Sequence, residues 1–198
     1  MINMGIGLLG GPNIVHKRKF RWSFEIFKNN GSGGPGAPLV PKHFVKMAAR
    51  PNITIEETEI NFLNAKTYIP GKGTWETITV TYYDVSTKSS GNTGLWSWLA
   101  SVYDFTNPAT LTQSSSRTGY SGFALCILYD GCGNALEEWS LEDAWPQAVQ
   151  FGELDFGSSE ECTIEVTMRY SNVRYKNFCG PQPQADCSGC SSPAPFAI

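Results

Sequence analysis

Three stretches of the chain alternate apolar and polar side chains with a period of two, the spacing of a strand with one face in a core and one in water. In FRWSFEIF (20–27), Phe20, Trp22, Phe24 and Ile26 share a face opposite Arg21, Ser23 and Glu25. In ETITVTYYDV (76–85), Ile78, Val80 and Tyr82 oppose Thr77, Thr79, Thr81 and Tyr83. In CTIEVTMRY (162–170), Cys162, Ile164, Val166, Met168 and Tyr170 oppose Thr163, Glu165, Thr167 and Arg169. A fourth segment, FALCILY (123–129), is apolar on both faces, as a central strand would be, and its Cys126 reads as a small core residue and a free thiol. After the turn signals Asp130-Gly131 and Gly133-Asn134, LEEWSL (136–141) reads as a strand, followed by a loop and strand in 144–156. Only NTGLWSWLASVYDF (92–105) has the helical period, with Leu95, Trp98, Leu99 and Val102 on one stripe, Thr93 to cap it and Pro108 beyond its end. These segments predict an all-β, mainly antiparallel fold, a β-sandwich or small barrel of seven or eight strands with one flanking α-helix. With 41% apolar residues among 198, the chain can bury one core, and 20 Gly and 12 Pro favour turns over helices.

Segment 53–62, ITIEETEINF, breaks the pattern: Ile53 and Ile55 lie on one face, Ile60 and Phe62 on the other. A phase switch within one strand implies a bulge, or a strand that leaves its own sheet. With turn signals at Asn64-Ala65 and Pro70-Gly71, 53–62 and 76–85 are expected to form a long hairpin. The loop NNGSGGPGAP (29–38) reads as a surface excursion outside the sheet, too Pro-broken to pair.

The formal charge of −3 hides a segregation, because residues 1–50 hold eight bases against Glu25 alone. Between Asp130 and Glu165 there are ten acids and no Lys or Arg. Such a split suits a protein that meets copies of itself or a basic partner; the alternative is that folding joins the halves within one chain. A nucleic-acid grip is disfavoured by the absence of a basic stripe interleaved with aromatics. No apolar run approaches the roughly 18 residues of a membrane span, so the monomer is not expected to bind membrane, and MINMGIGLLGGPNIV makes a poor secretory signal. His16 and His43 are the only histidines, and no nucleophile, phosphate-loop or metalloprotease motif occurs, so no catalytic, metal or cofactor site is expected. The doublets Glu56/Glu57, Glu137/Glu138 and Glu160/Glu161 cannot close on one substrate, since strand neighbours face opposite ways. Trp22 and Trp98 fall on apolar faces and read as core rather than as a glycan platform.

Four segments in order, ARPNITIEETEINFLN (49–64), YIPGKGTWETITVTYYDV (68–85), LEEWSLEDAWPQAVQFGELDF (136–156) and ECTIEVTMRYSNVRY (161–175), resemble the tail tube protein of T4-like contractile-tailed bacteriophages. That tube family is shared with contractile bacteriocins and type VI secretion tubes. The resemblance covers about Lys17 to Lys176 and implies an N-terminal arm (1–16), a tube domain (17–176) and an added C-terminal arm (177–198). It implies a virion tail component, assembled in the host cytoplasm as stacked hexameric rings through which double-stranded DNA is ejected; the alternative is a bacteriocin or type VI-like injection tube. Implied partners are further copies of the chain, the tail sheath, baseplate and tail terminator proteins, and, transiently in the lumen, tape measure protein and DNA. The long hairpin, with Ile53, Ile55, Glu57, Glu59, Ile60, Phe62, Ile78, Val80 and Tyr82, would join neighbours in the ring.

Two further expectations come from the residues themselves. The acids Glu137, Glu138, Glu142, Asp143, Glu153, Asp155, Glu160 and Glu161 are expected to face outward or between rings, opposite basic surface. The arm CGPQPQADCSGC holds three cysteines, an odd number that cannot pair wholly within it. Disulfides fit this spacing better than zinc; Cys179 with Cys187 or Cys190 would staple subunits, with Cys132 as a possible acceptor, and a free arm with idle cysteines is the alternative.

Overall fold

The computed structural model describes residues 17–29, 35–86, 91–103, 105 and 116–178. Along the chain run β1 (Trp22–Asn29), β2 (Pro35–Pro38), a 3-10 turn (Lys42–Phe44), β3 (Val45–Ala48), β4 (Ile53–Phe62), β5 (Ala65–Trp75) and β6 (Ile78–Tyr83). There follow α1 (Gly91–Val102), a single turn α2 (Arg117–Tyr120), β7 (Gly122–Tyr129), β8 (Ala135–Gln150), β9 (Thr163–Arg169) and β10 (Asn172–Asn177). All strand pairings are antiparallel. The fold is mostly antiparallel β with a flanking helix, and no closed barrel forms among the described residues.

The expected strand at 136–141 and the first part of the loop and strand expected in 144–156 are one element, β8, which ends at Gln150; residues 151–156 are loop instead of strand. β8 pairs β7 on one side and β10 on the other through Glu142, then pairs β9 from Trp145 onward. Its corner is Asp143, a non-glycine residue at φ 53, next to a register shift against β7. A corner of this kind lets one strand serve two sheets. One layer is β2-β1-β7-β8, with β10 beside β8, and the other is β8-β9-β6-β3. Phe24, Ile26, Ala124, Cys126 and Leu141 from the first meet Ile78, Val80, Tyr82, Ile164, Val166 and Met168 from the second in one core. Ile78, Val80 and Tyr82, and Ile164, Val166, Met168 and Tyr170, are thus buried as their period predicts, whereas Cys162, expected on the same face, precedes β9 and is exposed; β6 and β9 pair with each other.

Helix α1 covers the core with Leu95 and Trp98, both fully buried. It begins at Gly91, ahead of the expected cap Thr93, and ends at Val102. A Cβ at Gly94 would sit 2.4 Å from the Leu39 carbonyl oxygen, so only glycine lets the helix lie this close to the chain beneath it. Two expectations are corrected at β1: Phe20 is exposed because the strand starts at Trp22, and Pro35–Pro38 does pair, as an edge strand, where a missing proline N–H costs no ladder bond.

Candidate assembly surfaces

The hairpin has different partners from those expected. β4 pairs with β5, with Phe62 opposite Ala65 across the two-residue turn Leu63-Asn64, where Leu63 has φ 51. Pro70-Gly71 is no turn: it lies in β5 at a register shift between Ile55/Gly73 and Glu57/Pro70, a bulge whose extra residue is in β5; β4 carries none, so its phase switch leaves Ile53 and Ile55 on one face of the ribbon and Ile60 and Phe62 on the other. Ile78, Val80 and Tyr82 belong instead to β6 and are buried within their own chain, so no surface role is open to them. β4–β5 forms a separate sheet that bonds to no other described strand. Ile53, Ile55, Ile60, Phe62, Tyr68 and Ile69 are between 45% and 73% exposed, on both faces of the ribbon. A two-stranded ribbon is marginal in water, and one that is apolar on both faces is a surface awaiting a partner. Glu57 and Glu59 lie on it too, Glu59 paired with Lys66 at 2.9 Å.

The acidic block divides in two. In its first half all but Glu138 are paired with bases from distant parts of the chain: Arg174 binds Glu142, to which the Asn172 amide also donates, and Arg117 binds Asp143 at 2.9 Å. Glu138 accepts a hydrogen bond from Ser140 at 3.3 Å. Glu137, expected at an outward interface, is instead buried. Lys17 donates to it, Arg50 lies 3.7 Å away and the Tyr175 hydroxyl donates at 3.4 Å, so this one carboxylate gathers the chain before β1, the chain after β3, and β10. The second half, Glu153, Asp155, Glu160 and Glu161, is exposed and makes no ion pair among the described residues.

Burial alone would raise the pKa of Glu137, but Lys17 and Arg50 outweigh it and hold the carboxylate below the ordinary glutamate range. A depressed folded pKa stabilises fully above the unfolded value of about 4.3 and is lost as pH falls through the folded value. Glu137→Gln is therefore expected to cost about 2 kcal/mol at pH 7, the worth of hydrogen bonds to a charged group, and progressively less in acid. Urea unfolding of both proteins at pH 7 and below pH 4 measures this; a gap independent of pH would refute it.

The loop 151–162 joins β8 to β9 and is held in a defined form. Asp155 accepts from the Gly157 N–H at 2.9 Å, and Ser158 Oγ from the Glu160 N–H at 3.2 Å. Gly152, at φ 76, packs where a Cβ would lie 2.6 Å from the Thr163 carbonyl oxygen. The result displays Leu154 at 87% and Phe156 at full exposure among the unpaired acids. Elsewhere a cleft of about 550 Å³ is lined by Arg18, Lys19, Lys46 and Arg50 together with Trp22, Met47 and Leu128. Neither Leu154 and Phe156 nor this cluster was picked out from the sequence, because both lie outside the periodic segments; two large apolar residues in a Gly/Ser/acid loop were the available signal.

Cys132 sits in the turn where Asp130 Oδ1 accepts from the N–H groups of Cys132 and Asn134, at 2.7 and 2.8 Å, and it is disulfide-bonded. Cys126 is a buried free thiol, pushed by burial to a pKa of about 11, and Cys162 is free and exposed. Cys179, Cys187 and Cys190 lie outside the described residues. No group of three or more His, Cys, Asp or Glu with metal-binding geometry occurs among the described residues.

No protein-family model matches the chain, and no curated protein matches it by sequence. Solved structures do match. A chain from the baseplate of the anti-feeding prophage aligns with a TM-score of 0.60 at 14% identity, over 83% of this chain and 97% of that one. A chain from the sheath/tube terminator of the extracellular contractile injection system PVC, in the extended state, aligns at 0.61 and 14% identity, over 82% and 98%. A chain from the tube-terminating cap of the anti-feeding prophage aligns at 0.60 and 16% identity, over 83% and 93%. At these identities the likeness is one of fold, and that fold is found among the components of contractile injection systems.

Proposed function

We propose that the chain is a structural tube subunit of a contractile, phage-like particle, assembling with copies of itself into stacked hexameric rings around a hollow lumen. The observation that carries this reading is the hairpin β4–β5, an ordered ribbon apolar on both faces and detached from its own sandwich. Adding such ribbons side by side satisfies their edges and buries their apolar groups in one step. Within such a particle the subunit would meet sheath, baseplate and terminator proteins, and it would carry no catalytic role.

The cargo is the finer question, and we favour double-stranded DNA. A tube that gripped phosphate would stall a genome, and the hairpin carries three Glu against two Lys, a lining that would release it. The fold likeness to parts of extracellular injection systems favours a protein cargo as the second reading. Negative-stain microscopy of the purified protein is expected to show hollow rings and stacks. A monodisperse monomer at high concentration would end the proposal. Particles recovered from producing cells then separate the cargoes, since only a DNA conduit is accompanied by nuclease-protected DNA.

A further inference from the structure

We infer that successive rings lock head to tail, the loop 151–162 of one copy entering the basic cleft of a copy in the next ring; this rests on the tube reading above. The loop and the cleft complement each other in charge and shape. The loop offers two apolar side chains, Leu154 and Phe156, flanked by Glu153, Asp155, Glu160 and Glu161, with no cation to neutralise them among the described residues. The cleft offers the apolar Trp22 and Met47, Met47 being 61% exposed, together with Arg18, Lys19, Lys46 and Arg50. Arg18, Lys19 and Lys46 pair with no carboxylate among the described residues, Lys46 lying over the Tyr83 ring, whereas Arg50 is ion-paired with Glu137 Oε1 at 3.7 Å. Its volume of about 550 Å³ accommodates a phenylalanine side chain with room for a second.

The topology puts one wall of the cleft at the start of β8 and the loop after its end. The cleft forms where β1 and β8 begin, since Leu128 in its wall pairs with both Trp22 and Glu137. The loop follows Gln150, the last residue of β8, the longest strand. Two different, complementary surfaces make a heterologous contact, which propagates from copy to copy instead of closing a two-fold pair. An apolar tip supplies the affinity and the surrounding charges the orientation.

The test separates ring formation from ring stacking. Phe156→Ser removes a side chain that touches nothing in its own chain, so the fold is spared. It is expected to leave rings intact and to raise the protein concentration needed for stacking by at least about tenfold, the worth of one buried aromatic side chain. Glu153→Lys with Glu160→Lys should abolish stacks, and adding Arg18→Glu with Lys46→Glu should restore them. A photoreactive benzophenone at position 156 should give a cross-linked dimer joined to residues 18–50 of the second copy. Stacks of normal length from Phe156→Ser, or cross-links to another surface, overturn the lock while leaving the tube reading standing. If the wild-type protein forms neither rings nor stacks, both fall together.

Discussion

A chain in which residues 54–74 are replaced by an Asn-Gly turn is expected to fold normally and to form no rings. The excision is geometrically clean. Ile53 lies directly opposite Trp75, and the Glu76 N–H donates to the Asn52 carbonyl at 2.9 Å, so the cut ends already stand at hairpin spacing and a two-residue turn closes them. Trp75 is kept because it packs on the core and its ring meets that of Tyr170 at 6.1 Å. What is removed bonds to no other described strand, so unfolding free energy should stay within about 1 kcal/mol of the parent. What is lost for assembly is large. Burying Ile55, Ile60, Phe62, Tyr68 and Ile69 between neighbours is worth roughly 10 kcal/mol per subunit before ordering costs. Light scattering after gel filtration, with urea unfolding alongside, reads both outcomes. Rings of ordinary diameter from the shortened chain would remove the hairpin from the assembly contact.

Trp98→Ala is expected to destabilise the monomer by about 4 kcal/mol, close to what many domains of this size have in total. Trp98 is fully buried, and its Nε1 donates to the Tyr120 carbonyl at 2.9 Å, tying α1 to the turn that leads into β7. Beneath it a Cβ at Gly122 would sit 3.4 Å from the indole Cζ2, so the ring fills its site to contact. Truncation leaves a cavity and an unpaired carbonyl. Trp96, two positions earlier on the same helix, is 53% exposed against the rings of Phe105 and Phe151, and Trp96→Ala should cost no more than about 1 kcal/mol. Equal losses for the two variants, measured by urea unfolding, would mean that α1 is not seated as described.

The sequence alone determined the β class, the core faces of β6 and β9, the stripe on α1 and the two-faced apolar pattern of β4. Each of these is a local period, or a break in one, and the period of two or of 3.6 decides which side of an element can be buried whatever it packs against. Tertiary structure decided the partners. The pair Pro70-Gly71 reads as a turn in isolation, yet within β5 it absorbs the extra residue opposite Glu56, which moved the hairpin partner of β4 from 76–85 to 65–75. β10 shows no alternation because it is an edge strand with mostly exposed side chains, and nothing local marks it as a strand until it pairs with β8. The fate of the acids was least local of all. Glu137 and Glu138 are neighbours in a uniformly acidic stretch, and what makes one a buried anchor is Lys17, 120 residues away, together with Arg50. Charge segregation along the chain is therefore resolved within the fold for Glu137, Glu142 and Asp143 on β8 and left open on the loop that follows, because a strand brings its residues beside other elements whereas a projecting loop presents them to solvent or to another molecule.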